Sequence, residues 1–270
     1  MTIQTATSPA KPAAIITGAG SGIGLAAAKL IHAAGFAVVG VGRDQAKLDH
    51  MAAEIGDPTR VATISADVTA EDAPARIAAL ALERFGRIDA LVNNAGVGSP
   101  KPVHEATDAD FDGMIDIMLK APFRLIREVV GHMQENGGSI VNVTSTFAHI
   151  GGRRGGAYSA AKGGLKSLTE HMACEYGPWG IRSNCVAPGV TMTDMVRHRF
   201  EDETFRRNNI ETTPYPRLAE PEDVAAVIAF LCGPNSQMVN GQSIVVDGGW
   251  TATKYLSPRA TRTTWVEPEA

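Results

Sequence analysis

Long apolar runs are absent from this chain: nowhere in its 270 residues do eighteen apolar residues follow one another, which excludes a membrane-spanning helix of ordinary length. Basic excess is absent too. With 25 Lys plus Arg against 29 Asp plus Glu the net charge is −4, and no basic run is dense enough to give the positive face that nucleic acid requires. Cysteine is scarce: Cys174, Cys185 and Cys232 lie in apolar stretches without C-x-x-C spacing. That argues against a disulfide scaffold or a cysteine metal centre, reads as three reduced core thiols, and suits the cytoplasm. The seven histidines show no ligand spacing, so no metal is assigned. The first twelve residues are polar, carry Pro9 and Pro12 and lack an apolar signal core. The reading is an untargeted, soluble protein with a frayed tail over residues 1–12. Internal repeats and low-complexity linkers are also missing.

What is present is apolar residue enough for a large core, 44% of the chain, arranged in short runs. Strand patterns at Ala13–Thr17, Phe36–Val41, Val61–Ala66, Ile88–Asn93, Ser139–Thr144, Ile181–Ala187 and Ser243–Val246 alternate with helical stretches at Leu25–Ala34, Gln45–Ile55, Asp72–Phe85, Asp110–Gln134, Ala157–Tyr176 and Glu222–Leu231. Alternation of this kind predicts parallel strands joined by crossover helices. The expected fold is therefore α/β, a doubly wound Rossmann-type sheet of seven parallel strands in one domain over residues 13–250. The charged, weakly periodic stretch Asp194–Pro216 interrupts the alternation, and residues 251–270 follow as a tail.

Two local patterns carry chemistry. Tyr158 and Lys162 are four residues apart in a helical stretch and so share a face. An ammonium beside a phenol favours the phenolate, making Tyr158 a candidate general acid/base. Ser145 follows the apolar run Ile140-Val141-Asn142-Val143-Thr144, at the carboxyl end of a strand, where open α/β sheets bind ligands. At the other end of the chain, the strand Ala13–Thr17 runs into Gly18-Ala19-Gly20-Ser21-Gly22-Ile23-Gly24 and then a helix. Strand, glycine loop and helix together form the dinucleotide-binding arrangement, in which bare backbone approaches a pyrophosphate at a helix N-terminus.

With Asn93-Asn94-Ala95-Gly96 between them, these patterns in this order resemble the short-chain dehydrogenase/reductase family from about Lys11 to Trp250. Asp67-Val68, Pro188-Gly189 with Thr193, and Asp247-Gly248-Gly249 match further family landmarks. The resemblance implies an NAD(P)-dependent oxidoreductase that interconverts a carbonyl and a secondary alcohol, with Tyr158 as proton donor. Ser145 would hold the substrate oxygen, and Lys162 would lower the tyrosine's pKa and hold the nicotinamide ribose. It further implies that Gly18, Ser21 and Ile23 line the pyrophosphate, Asp67 and Val68 the adenine, Asn94 to Gly96 the adjoining ribose, and Val190 with Thr193 the carboxamide. Structural alternatives stand beside these roles: Asn94 closing a turn, Thr193 capping a helix, Asp67 ending a strand.

Where NAD enzymes of the family place an acid, this chain has Gly42, followed by Arg43, so NADP(H) is favoured. NAD(H) stays open, because Ser21 replaces a second basic residue and Asp44 is placed to contact a ribose. The family's lid maps to 194–216. Pairing of the long helices implies a homo-oligomer, expected as a tetramer, with Tyr255, Leu256 and Trp265 of the tail at an interface. One departure is clear: Met118 stands where the family has an asparagine credited with holding a relay water for the lysine. A cofactor-binding sensor or assembly protein with impaired turnover is the alternative. The substrate is a small carbonyl or alcohol, with steroid, sugar, acyl thioester, terpenoid and aromatic ketone all open.

Overall fold

The structure, a computed structural model, describes residues 11–98 and 100–255. Seven strands form one parallel sheet: β1 Ala13–Thr17, β2 Ala37–Gly42, β3 Val61–Ser65, β4 Ala90–Asn93, β5 Gly138–Val143, β6 Ile181–Pro188 and β7 Ser243–Val246. Their order is β3-β2-β1-β4-β5-β6-β7. Every residue of β1 is buried because helices cover both faces of the sheet, which is why the central strands read as unbroken apolar runs. β1 pairs β2 on one side and β4 on the other, with Ile15 opposite Val39 and Leu91. The strand order therefore reverses between β1 and β4, and the crevice at their carboxyl ends is where such a sheet takes a ligand.

One face is covered by α1 Gly22–Ala33, α2 Gln45–Ile55 and α9 Pro221–Cys232. Ala26, Ala27, Ala28 and Ile31 of α1 meet Val224, Ala225 and Ile228 of α9 in one core, and the small alanines let those two helices approach closely. The other face is covered by α3 Ala73–Phe85, α5 Ala121–Met133 and α6 Gly156–Tyr176, whose Ile77, Leu125, Val129 and Met172 fill a second core. Gly56 and Gly86 close α2 and α3 in the left-handed region, at φ 70° and 73°, where a glycine carries no side-chain penalty.

Helix bounds differ from expectation in one instructive place. The single helix expected over Asp110–Gln134 is α4 Asp108–Ile115, a π turn at Asp116–Lys120, and then α5. The apolar spacing Met114, Met118, Ala121, Leu125 runs straight through this break, so periodicity does not register it. The segment 194–216 is less irregular than expected, holding the short helices α7 Asp194–Arg197 and α8 Glu203–Ile210. Cys185 and Cys232 are buried, but Cys174 is exposed; its apolar neighbours Met172 and Ala173 occupy the inner face of α6, so this thiol is not a core residue. Of the expected amino-terminal tail, residues 1–10 lie outside the described residues, while the carbonyl of Pro12 accepts a hydrogen bond from the Ala37 amide at 2.7 Å and joins the sheet. Leu256 and Trp265 also lie outside them. Among the described residues no helix is long and apolar enough to cross a membrane.

Candidate active site

The glycine loop is shaped by its lack of side chains. Gly18 and Gly22 sit at φ 68° and 52°, conformations that other residues adopt only with strain. A Cβ on Gly24 would collide with the Gly18 carbonyl oxygen and lie 2.6 Å from the Asn94 amide nitrogen. Asn94 donates from Nδ2 to the carbonyls of Thr17 at 2.9 Å and Gly18 at 3.3 Å, and Thr17 Oγ1 accepts from the amides of Asn94 and Ala95. The end of β4 is thereby stitched to the loop after β1. Ser21 stands at the N-cap of α1 yet makes no side-chain capping bond, which leaves the amides of the first turn without a side-chain cap.

At the end of β2, Arg43 is exposed, and its charge is one of the influences holding Asp67 below the usual carboxylate range, after the hydrogen bonds from the Thr69 backbone and hydroxyl. Asp44 accepts from the Lys47 amide and caps α2; this carboxylate is used as a helix cap. Val68, the residue after Asp67, is buried. Across the crevice, the built Cβ of Gly22 would meet Thr193 Cγ2 at 3.0 Å. Thr193, at the start of α7, makes no side-chain cap bond, and Val190 is half-buried just before it. Ile23 is half-buried against the first core.

Ser145, Tyr158 and Lys162 converge at the end of β5. Ser145 is the second residue after the strand; its Oγ accepts from the Phe147 amide at 3.2 Å. Burial raises the Tyr158 phenol above its ordinary range while a hydrogen bond with Ser145 pulls it down. The Lys162 ammonium lies 5.9 Å from the centre of the Tyr158 ring and donates to the Val143 carbonyl at 2.7 Å. Burial lowers its pKa to about 8. Desolvation of the phenolate thus outweighs the hydrogen bond with Ser145, and the phenol stands above its ordinary range. Met118, wholly buried in the π turn, completes the wall. A Cβ on Gly96 would lie 3.5 Å from Met118 Sδ and 3.7 Å from Lys162 Nζ, so Gly96, Met118 and Lys162 meet at one point.

A family profile described as Enoyl-(Acyl carrier protein) reductase matches residues 18–251. Cis-4-hydroxycyclohexanecarboxylate dehydrogenase of Sinomonas cyclohexanicum is 39% identical over 246 residues, spanning 90% of this chain and 98% of its own. The chain is a short-chain dehydrogenase/reductase. Two solved structures of similar fold are the 3-ketoacyl-(acyl-carrier-protein) reductase of Brucella melitensis in complex with NADH, 34% identical with a TM-score of 0.83 over 89% of this chain and 98% of that one, and a chain from Beutenbergia cavernae with NADP bound at low occupancy, 33% identical with a TM-score of 0.85 over 91% and 99%. This member of the family is accordingly an NAD(P)-dependent oxidoreductase of alcohols and carbonyls, and the sensor alternative is not favoured.

Sequence reasoning missed several residues of this short-chain dehydrogenase/reductase site. Phe147 packs edge-on against Tyr158, with ring centres 6.4 Å apart, and against Trp250 at 6.3 Å. Residues so far apart in sequence give no local signal of meeting. Behind Lys162, a buried chain runs from Asn93 Nδ2 to Asn142 Oδ1 and from Asn142 Nδ2 to Thr169 Oγ1, both at 2.8 Å. The two asparagines sit inside apolar strands, and that exception to the pattern was the available signal. The loop residues His149, Arg153 and Arg154 are exposed. His149 Nε2 lies 2.9 Å from Ser243 Oγ.

Proposed function

We propose that the protein is an NADP(H)-preferring carbonyl reductase in which Tyr158 passes its proton to the substrate oxygen and Ser145 Oγ holds that oxygen as charge develops. The observation that carries this is the convergence of Ser145, Tyr158 and a buried Lys162 at the carboxyl end of β5. A nicotinamide cofactor, when bound, supplies the hydride that reduces the carbonyl carbon. The chain fits that group: the loop leaves no space for a Cβ at Gly24, Ser21 makes no side-chain capping bond, and Lys162 has one acceptor among the described residues where an ammonium can serve three. Gly18, Ser21 and Ile23 would hold the pyrophosphate, Asp67 and Val68 the adenine, Gly96 the adjoining ribose, Tyr158 and Lys162 the nicotinamide ribose, and Val190 with Thr193 the carboxamide. Asn94 would contribute through the backbone it fixes, because its amide donates to Thr17 and Gly18.

Arg43 supports the choice of NADP(H), since it is exposed beside the adenine end and Asp44 is engaged as a cap. Arg43→Asp should weaken NADPH binding by about 10- to 100-fold, with NADH less affected, because a charge-assisted contact becomes a repulsion. Wild type that already prefers NADH would overturn that assignment. Residues 13–250 act as one catalytic unit, with 194–216 as the lid and residues 1–12 and 251–270 as tails. Exposed Phe111 and Phe123, 44% and 45% accessible, support pairing through the long helices into a homotetramer; light scattering giving the 28.4 kDa monomer at micromolar concentration would refute it. A reducing cytoplasm suits the free thiols.

The mechanism is tested by Tyr158→Phe and Met118→Asn together. Tyr158→Phe should lose nearly all turnover. Met118→Asn should keep or raise it, because the relay water in wild type is held by backbone groups or reached by another route and an amide adds a donor and an acceptor. Unchanged turnover in Tyr158→Phe would end this reading, whatever Met118 does.

A further inference from the structure

We infer that the substrate carbonyl is carried on or beside an apolar ring that packs against Phe147 and Trp250. The inference rests on the assignment of Ser145 and Tyr158 as the pair that holds the reacting oxygen, and it names what the rest of the substrate must be.

Phe147 is fixed relative to that oxygen, since its own amide donates to Ser145 Oγ. Its ring meets Tyr158 at an interplanar angle of 90° and Trp250 at 68°. Behind it the loop after β5 is pressed close: a Cβ on Gly152 would lie 2.5 Å from Phe147 Cε1. Trp250 is anchored in turn by its indole Nε1, which donates to Thr212 Oγ1 at 2.9 Å. Three aromatic rings thus run in a row from the proton donor to the end of the segment that covers the crevice. Their edges and faces suit another ring, because offset and edge-on contacts between π systems and flat apolar surfaces are favourable.

The polar side chains at the lid end donate mainly to their own backbone. Thr191 Oγ1 donates to the Gly189 carbonyl and Asn209 Nδ2 to that of Phe205. Thr212 and Thr213 donate to the carbonyls of Asn208 and Asn209. The Asp247 carboxylate accepts from the amides of Gly249 and Thr251 and from the Thr251 hydroxyl. The cleft there is lined by Val190, Leu218 and Trp250 together with Asn209, Thr213 and Asp247. A polyol ketone held against the Phe147 and Trp250 rings would bury hydroxyls on apolar surface, and a buried hydroxyl without a partner is strongly unfavourable. Discrimination of this kind comes from unpaired polar groups far more than from a missing methylene. The geometry selects against sugars and for a single-ring or fused-ring ketone or its secondary alcohol.

The test uses the full chain with NADPH and three probes: 4-methylcyclohexanone, the linear apolar 2-heptanone, and the polyol ketone D-fructose. The expected order of kcat/KM is the ring ketone first, at least threefold above 2-heptanone and at least 30-fold above fructose. Phe147→Ala and Trp250→Ala should each cut kcat/KM for the ring ketone tenfold or more, chiefly through KM, and Trp250→Phe should restore most of it. Phe147→Leu, which keeps the apolar volume, serves if the alanine variants do not fold. A preference for fructose, equal use of 2-heptanone, or variants that leave the order and KM unmoved would overturn the ring assignment while leaving the carbonyl reductase reading intact. Calorimetric binding of NADPH with no turnover of any ketone would overturn both.

Discussion

Thr169 and Lys162 lie two turns apart on the inner face of α6, both buried, and the same strands treat them in opposite ways. Thr169 is saturated: its hydroxyl donates to the Leu165 carbonyl at 2.7 Å and accepts from Asn142 Nδ2 at 2.8 Å and Cys185 Sγ at 3.1 Å. Lys162, an ammonium with three donors, has the Val143 carbonyl as its acceptor among the described residues, and Gly96 lies against both it and the Met118 thioether. A neutral polar group wrapped in partners adds cohesion, whereas a buried cation left short of partners lowers stability and keeps donors ready for a ligand. The difference identifies which of two buried polar groups on one helix serves the fold and which serves the chemistry. Even the saturated side is not complete, since Asn93 Oδ1 has no partner among the described residues.

The sharpest way to break this comparison is Lys162→Met. Turnover should fall by about 10²- to 10⁴-fold, the usual range for removing a group that supports proton transfer, while the cofactor-free protein becomes more thermostable. A variant that lost activity and stability together would place Lys162 in the structural class with Thr169.

The reciprocal change, Thr169→Val, should behave in the opposite way. The shape is nearly kept, but Asn142 Nδ2 and Cys185 Sγ lose their acceptor, a loss worth about 1–3 kcal/mol. For a chain of this size that lowers Tm by roughly 2–10 °C. Calorimetry on the cofactor-free protein and a kcat measurement check it: a kcat depressed as much as in Lys162→Met would dissolve the distinction.

The same contrast explains what was legible in the sequence. Strands buried on both faces are mostly apolar, so β1 and β2 stood out, and the glycines of the loop after β1 mark backbone that no other residue can occupy without strain. Tyr158 and Lys162 were legible because helical spacing puts four-apart residues on one face. Their electrostatics were not, since the sign of a pKa shift depends on burial, which the sequence does not state: the phenol rises and the ammonium falls. The π turn at Met118 was hidden because it changes hydrogen-bond register without disturbing the apolar pattern. Cys174 was misread because its apolar neighbours in sequence face a different way. Phe147 and Trp250 meet only through the fold.

The smallest effect is also the most specific to Lys162, and it lies in the pH dependence of the stability that Lys162→Met gains. In the folded protein burial holds the ammonium's pKa at about 8, against an ordinary 10.5. Between those values the unfolded chain binds the proton and the folded chain releases it, so wild-type stability rises with pH across that window. Below about pH 8 the full penalty of burying the charge is in place, at most about 3 kcal/mol for a shift of this size; above about 10.5 it is gone. The advantage of Lys162→Met should therefore be greatest near pH 7 and shrink steadily from pH 8 upwards. Cys185, pushed up to about 11 by burial, and Tyr158, raised by burial as well, are present in both proteins and largely cancel in the difference. Thr169→Val touches a titration only through Cys185, whose pKa the Thr169 hydrogen bond lowers but burial holds at about 11, so its Tm deficit should be nearly level from pH 6 to 10. Parallel melting curves of the three proteins across that range decide the matter: a gain for Lys162→Met that is flat with pH would mean that the buried ammonium is not the group that separates the two halves of α6.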